Sequence, residues 1–200
     1  VSAQLLRNPF LRVLFTGIPV ARRRDVERYG LDPSAVTDPV EAGCAHLRSG
    51  GDLAVFPEGT SRWGHAPQPY HRGAARILCR LIDEGISPTV LPLGLHYSTP
   101  DALRSRAEVV VGSPVTVPRR EGRGDAEWED TVGQVLGQAL DAVSVNCPDE
   151  EAFVRAQSAA LDRARRGEGY AEAFLEEQGV ALPVLLRFSD ILRSRIEQLS

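Results

Sequence analysis

Residues 52–62 read Asp-Leu-Ala-Val-Phe-Pro-Glu-Gly-Thr-Ser-Arg, and the fold assignment starts from them. Asp52 to Phe56 is short, apolar and β-prone, which predicts a buried strand. Pro57 and Gly59 end it, so an acid, a glycine, two hydroxyls and an arginine follow in a tight loop. In open α/β sheets ligands bind at the carboxyl ends of strands. Gly59 permits unusual backbone angles or close ligand approach, and Thr60, Ser61 and Arg62 are donors suited to phosphate oxygens. The same residues would also make an ordinary polar turn with a capping hydroxyl.

Upstream, Asp38-Pro39-Val40-Glu41 has the form of a helix start: an acid to cap, proline at the first helical position, and Glu three residues on. That helix is expected to stop at Gly50-Gly51. Residues 71–84 follow a helical period through Ala74, Ala75, Ile77, Leu78, Leu81 and Ile82, with Gly85 as the stop. Thr89 to Leu95 and Glu108 to Val111 predict two further strands. Towards the start, Leu6, Phe10, Val13 and Leu14 have helical spacing, and Ile18-Pro19-Val20 is strand-like. Strand, helix and strand in this order predict an α/β fold with a partly parallel sheet flanked by helices. From about Asp125 strand signals give way to helical patterns, broken near Asn146-Cys147-Pro148, Gly167-Glu168-Gly169 and Pro183. A C-terminal all-helical extension is therefore expected, with the α/β domain over 1–118 and the extension over 119–200.

Composition narrows the function. The chain has 200 residues, 42% hydrophobic and 25% charged, which suits a globular core. Its formal net charge of -4 argues against a nucleic-acid binder. All 23 basic residues are Arg, a bias that a GC-rich genome would explain and that also supplies bidentate phosphate ligands. Cys44, Cys79 and Cys147 stand far apart, so neither a zinc site nor a disulfide framework is indicated. Buried thiols in a reducing, cytoplasmic compartment are the expectation. No apolar run approaches the roughly 18 residues of a spanning helix, so the chain is expected to be soluble or peripherally membrane-bound. No G-x-S-x-G elbow or Walker loop occurs, and Arg123-Gly124-Asp125 reads as linker.

FPEGTSR at 56–62 resembles the third sequence block of the glycerol-phosphate and lysophosphatidate acyltransferases. Gly17-Ile18-Pro19-Val20-Ala21-Arg22 resembles their second block, and Val90-Leu91-Pro92-Leu93-Gly94-Leu95 their fourth. HRGAAR at 71–76 and RSRAEVVVGSPV at 104–115 also fall where members of this family carry a helix start and a closing strand. The likeness spans roughly residues 1–118, with three blocks in order. It implies a glycerolipid acyltransferase-like fold and transfer of a fatty acyl group from acyl-CoA or an acyl carrier protein to a glycerol-phosphate or lysophospholipid hydroxyl. Arg22, Arg62, Thr60 and Ser61 would then hold the acceptor phosphate. Glu58 and Gly59 would shape the acceptor pocket, and Pro92 would help form the acyl-donor side. Neither metal nor redox cofactor is implied, and peripheral membrane contact is. The basic run Arg22-Arg23-Arg24 could also face anionic headgroups.

The family's first block, His-x4-Asp, carries its general base and is expected upstream of Val1, because residue 1 is not Met and the second block begins almost at once. His96 and Asp101 reproduce the His-x4-Asp spacing but fall after the fourth block, which makes them weak catalytic candidates. His65 and His71 flank the motif loop and could assist binding. Two other readings stand beside the enzyme: a non-catalytic relative that binds phospholipid or acyl carrier, and an interaction protein whose helical tail docks a partner.

Overall fold

A computed structural model describes residues 38–60, 62, 64–99 and 105–180, and residues 184–187 as backbone. The expected elements at Leu6–Leu14 and Ile18–Val20, together with Arg22, lie outside the described residues. Contacts gather the described chain into two compact units: one up to Pro57 with 72–88, the other 58–71 with everything after Pro88.

The first unit is a helix pair. Helix α1 spans Pro39–Arg48, and the Asp38 side chain accepts from the Val40 amide at 3.0 Å, so the cap forms where the sequence places it. Helix α2 spans Gly73–Asp83. They pack through Val40, Cys44, Ile77 and Leu81, flanked by Leu47 and Leu53. Gly43 permits the close approach, since a Cβ there would come within 2.8 Å of Ile77 Cδ1. Glu41 turns outward to Arg48 at 2.8 Å and Arg80 at 2.6 Å, and Arg48 reaches Glu84 at 2.6 Å. These pairs are solvated and add little to stability.

The segment 52–56 is not a strand, contrary to its sequence pattern. Val55 and Phe56 are 43% and 74% exposed, and only Leu53 joins the apolar cluster. A strand requires a neighbouring ladder to satisfy its backbone, and no described strand pairs with this one.

The second unit holds the sheet. Strands β1 (Leu93–Tyr97) and β2 (Ala107–Val111) are followed by helices α3 (Asp125–Asp141), α4 (Glu150–Arg165) and α5 (Tyr170–Glu177) and by β3 (Val184–Arg187). The sheet order is β1-β2-β3 and both pairings are antiparallel, so the partly parallel sheet is not what these strands form. β1 and β2 are consecutive strands joined by a short connection, which favours antiparallel pairing. Val90 forms one further bridge to Val115, and Pro92, which has no amide hydrogen, interrupts the ladder between them. β3 also corrects the expectation that the extension is all helical.

The helix breaks at 146–148 and 167–169 fall where expected. Asp149 caps α4 by accepting from Ala152 N at 2.7 Å. Trp128 of α3 is buried, with its indole donating to the Pro118 carbonyl at 2.8 Å. Helices α4 and α5 share a core of Cys147, Phe153, Ala156, Ala160, Tyr170, Ala173 and Phe174. No described helix is long and apolar enough to cross a membrane.

Alternation buries Gly94 and His96 on β1, and Glu108 and Val110 on β2, leaving Leu93 and Leu95 exposed. Glu108, 1% exposed, accepts from the Tyr170 amide at 3.2 Å and the Ala171 amide at 2.7 Å. A carboxylate from β2 thus caps α5, whose own N-cap is a glycine with no side chain. His96 pairs with Glu108 across the strands, and its Nε2 donates to the Val143 carbonyl at 2.8 Å.

Glu108→Ala is expected to lower unfolding free energy by about 2–4 kcal/mol, read from urea unfolding, because two buried helix amides lose their acceptor. His96 gives a pH signature. Burial holds its imidazole below the ordinary 6.5, outweighing the Val143 carbonyl and the Glu108 charge, both of which favour protonation. Its contribution to stability is therefore complete above the unfolded value and is lost as pH falls from 6.5 towards the lowered folded value. Stability measured from pH 7.5 to 5 should decline with wild-type His96 and decline less with His96→Gln.

Candidate functional site

The motif loop begins at the Pro57–Glu58 turn and runs to His71. Gly59 adopts φ 63°, in the left-handed region, and a Cβ there would come within 2.9 Å of His71 Cδ2. The positive φ favours glycine at this position, and a methyl group there would also displace the His71 ring. Glu58 accepts from the Gln68 amide at 2.8 Å, which draws the two ends of the loop together. This carboxylate acts on the loop's own backbone, a role that motif reading did not anticipate. Thr60 and Arg62 are exposed along the loop, while Ser61 lies outside the described residues.

Three further contacts hold the loop within its unit. Tyr70 donates its phenol to Asp141 Oδ1 at 2.8 Å, at the end of α3. The Cys147 amide donates to the His65 carbonyl at 2.7 Å, and His65 Nδ1 lies 3.3 Å from Glu150 Oε2. Burial pushes the Tyr70 phenol well above its ordinary range, and the bond to Asp141 adds to that, so the phenol stays protonated as a donor. Tyr70 and Asp141 stand 71 positions apart, and neither belongs to a motif, so sequence alone gave no signal for the pair.

The remaining candidates lie elsewhere. Pro92 is buried, close enough to Gly112 that a Cβ on the glycine would meet its Cγ at 2.7 Å. His96 is 1% exposed, with Nε2 committed to Val143 and Nδ1 buried without a hydrogen-bond partner. A general base has to come within hydrogen-bonding reach of its proton, and neither nitrogen of this ring is at the surface. Asp101 lies outside the described residues. Among those described, no cluster of three His, Cys, Asp or Glu is arranged to hold a metal ion.

Glycerol-3-phosphate O-acyltransferase 2 of Saccharomyces cerevisiae is 29% identical over 129 residues, which is 62% of this chain and 17% of that protein. Over this span the chain is similar to acyltransferases. Glycerol-3-phosphate O-acyltransferase 1 of the same yeast is 29% identical over 121 residues, 56% of this chain and 16% of that protein. An uncharacterized acyltransferase of Schizosaccharomyces pombe is 29% identical over 119 residues, 56% of this chain and 18% of that protein. The chain thus spans less than a fifth of the length of these curated relatives. No family model matches the chain, and no solved structure matches it.

Gly59→Ala should strain the motif loop by about 1–2 kcal/mol, because alanine at positive φ is unfavourable and the new methyl group meets the His71 ring. Hydrogen exchange should report this as faster exchange at 58–71 than in the wild type.

Proposed function

We propose that this chain carries the acceptor side of an acyltransferase that moves a fatty acyl group from acyl-CoA or acyl carrier protein to a glycerol-phosphate or lysophospholipid hydroxyl. The observation that carries the reading is the Glu58–Arg62 loop: a glycine-dependent turn closed by Glu58, with Thr60 and Arg62 exposed, in a chain similar to glycerol-3-phosphate O-acyltransferases.

In this reaction the acceptor oxygen attacks the thioester carbonyl, the carbon–sulfur bond breaks, and the thiolate leaves and takes up a proton. The chemistry calls for a base, an oriented acceptor and stabilisation of the developing oxyanion. Arg62 and Arg22, with the hydroxyls of Thr60 and Ser61, are proposed to hold the acceptor phosphate, the arginines by charge-assisted hydrogen bonds. Glu58 and Gly59 set the shape of the loop that carries Thr60 and Arg62. Pro92 is proposed to support the acyl-donor side from within the core. The base is assigned by resemblance to a His-x4-Asp block outside the three blocks matched here. The reaction needs no metal or redox cofactor, and its lipid substrates suit a cytoplasmic protein in peripheral contact with a membrane.

The test is release of free thiol from acyl-CoA with glycerol-3-phosphate or lysophosphatidate as acceptor, alongside calorimetric binding of each acceptor. Arg62→Ala is expected to weaken acceptor binding, or raise its KM, about 10-fold while leaving the KM for acyl-CoA unchanged, as expected for loss of one charge-assisted phosphate contact. Acceptor binding without thiol release would support the non-catalytic binder. Absence of both binding and turnover would overturn the reading.

A further inference from the structure

The segment from Asp125 onward carries no recognisable chemical motif, yet it holds the motif loop by contacts with both the loop's middle and its end. Tyr70 donates to Asp141 at the last position of α3, and its ring lies against the same helix, where a Cβ on Gly137 would meet Tyr70 Cδ2 at 3.3 Å. His65 is held by the Cys147 amide at 2.7 Å and faces Glu150 in the first turn of α4. Residues 144–147, which supply the Cys147 amide, are themselves clamped from α5's C-cap. Gln178 accepts from the Asn146 amide at 2.7 Å and from the Cys147 thiol at 3.3 Å, and donates to the Ser144 carbonyl at 3.4 Å. Glu58, which closes the loop on Gln68, lies near enough to Tyr70 for its charge to act on the phenol.

We propose that Tyr70 and Asp141 are positioning residues through which the helical segment fixes the 58–71 loop in the shape that binds the acceptor. The inference rests on the assignment of that loop to the acceptor phosphate, and it gives the helices a role in the same reaction. Loops are cheap to disorder, and a site mounted on one needs rigid support to keep its donors in place. The Tyr70–Asp141 bond joins the residue beside His71, at the far end of the loop, to a helix terminus. Losing it would remove one of the contacts that tie the segment bearing Thr60 and Arg62 to the helices.

The experiment uses the full chain with Tyr70→Phe, Asp141→Ala and the double variant. Gly137→Leu is included because it favours the helix by propensity yet crowds the Tyr70 ring out of place. Two quantities are read: the rate of tryptic cleavage after Arg62 under native conditions, and the affinity for glycerol-3-phosphate or lysophosphatidate, or the acceptor KM where turnover is present. The expected result is cleavage about 3- to 10-fold faster and acceptor affinity about 5- to 20-fold weaker in each single variant. The double variant should be no worse than either single, because both remove the same bond. The thermal midpoint of Gly137→Leu should not fall, which separates loop release from loss of fold. Unchanged cleavage in Tyr70→Phe and Asp141→Ala would overturn the anchoring. Faster cleavage with unchanged acceptor affinity would overturn the link to binding while leaving the function reading intact. If the unmodified chain binds no acceptor, the function reading fails and the link to binding fails with it, while cleavage alone decides whether the helices anchor the loop.

Discussion

A single buried carboxylate organises the unit that holds the sheet. Glu108 leaves β2 on the face that the alternation turns inward, and there it meets the two leading amides of α5. An ionised acid in that position would be costly in an apolar core. Here it faces the positive end of a helix, accepts two backbone hydrogen bonds and has Arg106 at 3.9 Å. The contact fixes where α5 begins relative to the sheet. Phe174 and Leu175 then fall into their clusters, and α4 packs against the other side of α5. His96 completes the arrangement from the neighbouring strand by tying Val143 to the sheet. Gly94 admits the same carbonyl, since any side chain there would collide with it.

This polar inner face has consequences for the motif loop. Val143 is held to the sheet by His96, and the chain following it passes through Asn146 and Cys147 to the contacts that hold His65. Asp141, two residues before Val143, receives Tyr70. One short connection between α3 and α4 thus joins the core of the unit to the loop bearing Thr60 and Arg62. In the proposed function the acceptor has to be held in fixed geometry, and this connection would carry that rigidity to the loop.

The exposed apolar residues form a second pattern. Leu93 and Leu95 lie 48% and 44% exposed on the outer face of β1, and Leu91 just before it is 49% exposed. The strand pattern of 52–56 likewise remains unpaired among the described residues. Asp52–Phe56 reads from sequence as a buried strand and Thr89–Leu95 as a further strand, because periodicity and β-branching report what a segment is suited to bury. They do not report whether a partner is present to bury it. The curated relatives extend well beyond the span they share with this chain.

Local chemistry was legible wherever it acts over a few residues. Asp38 and Pro39 start α1, the glycine-containing turns end helices near 50, 85 and 167, and Gly59 takes the positive φ that its loop requires. Motif spacing in FPEGTSR pointed to the acyltransferases, and the relatives bear that out. What sequence could not supply was pairing at a distance. The antiparallel order of the sheet, the union of Glu108 with α5, the closure of Glu58 on Gln68 and the meeting of Tyr70 with Asp141 each depend on segments brought together by packing. Propensity and capping are set by neighbours within a turn or two, so the sequence by itself determined them. A buried carboxylate or phenol finds its partner only after the chain has closed around it, so tertiary structure decided those.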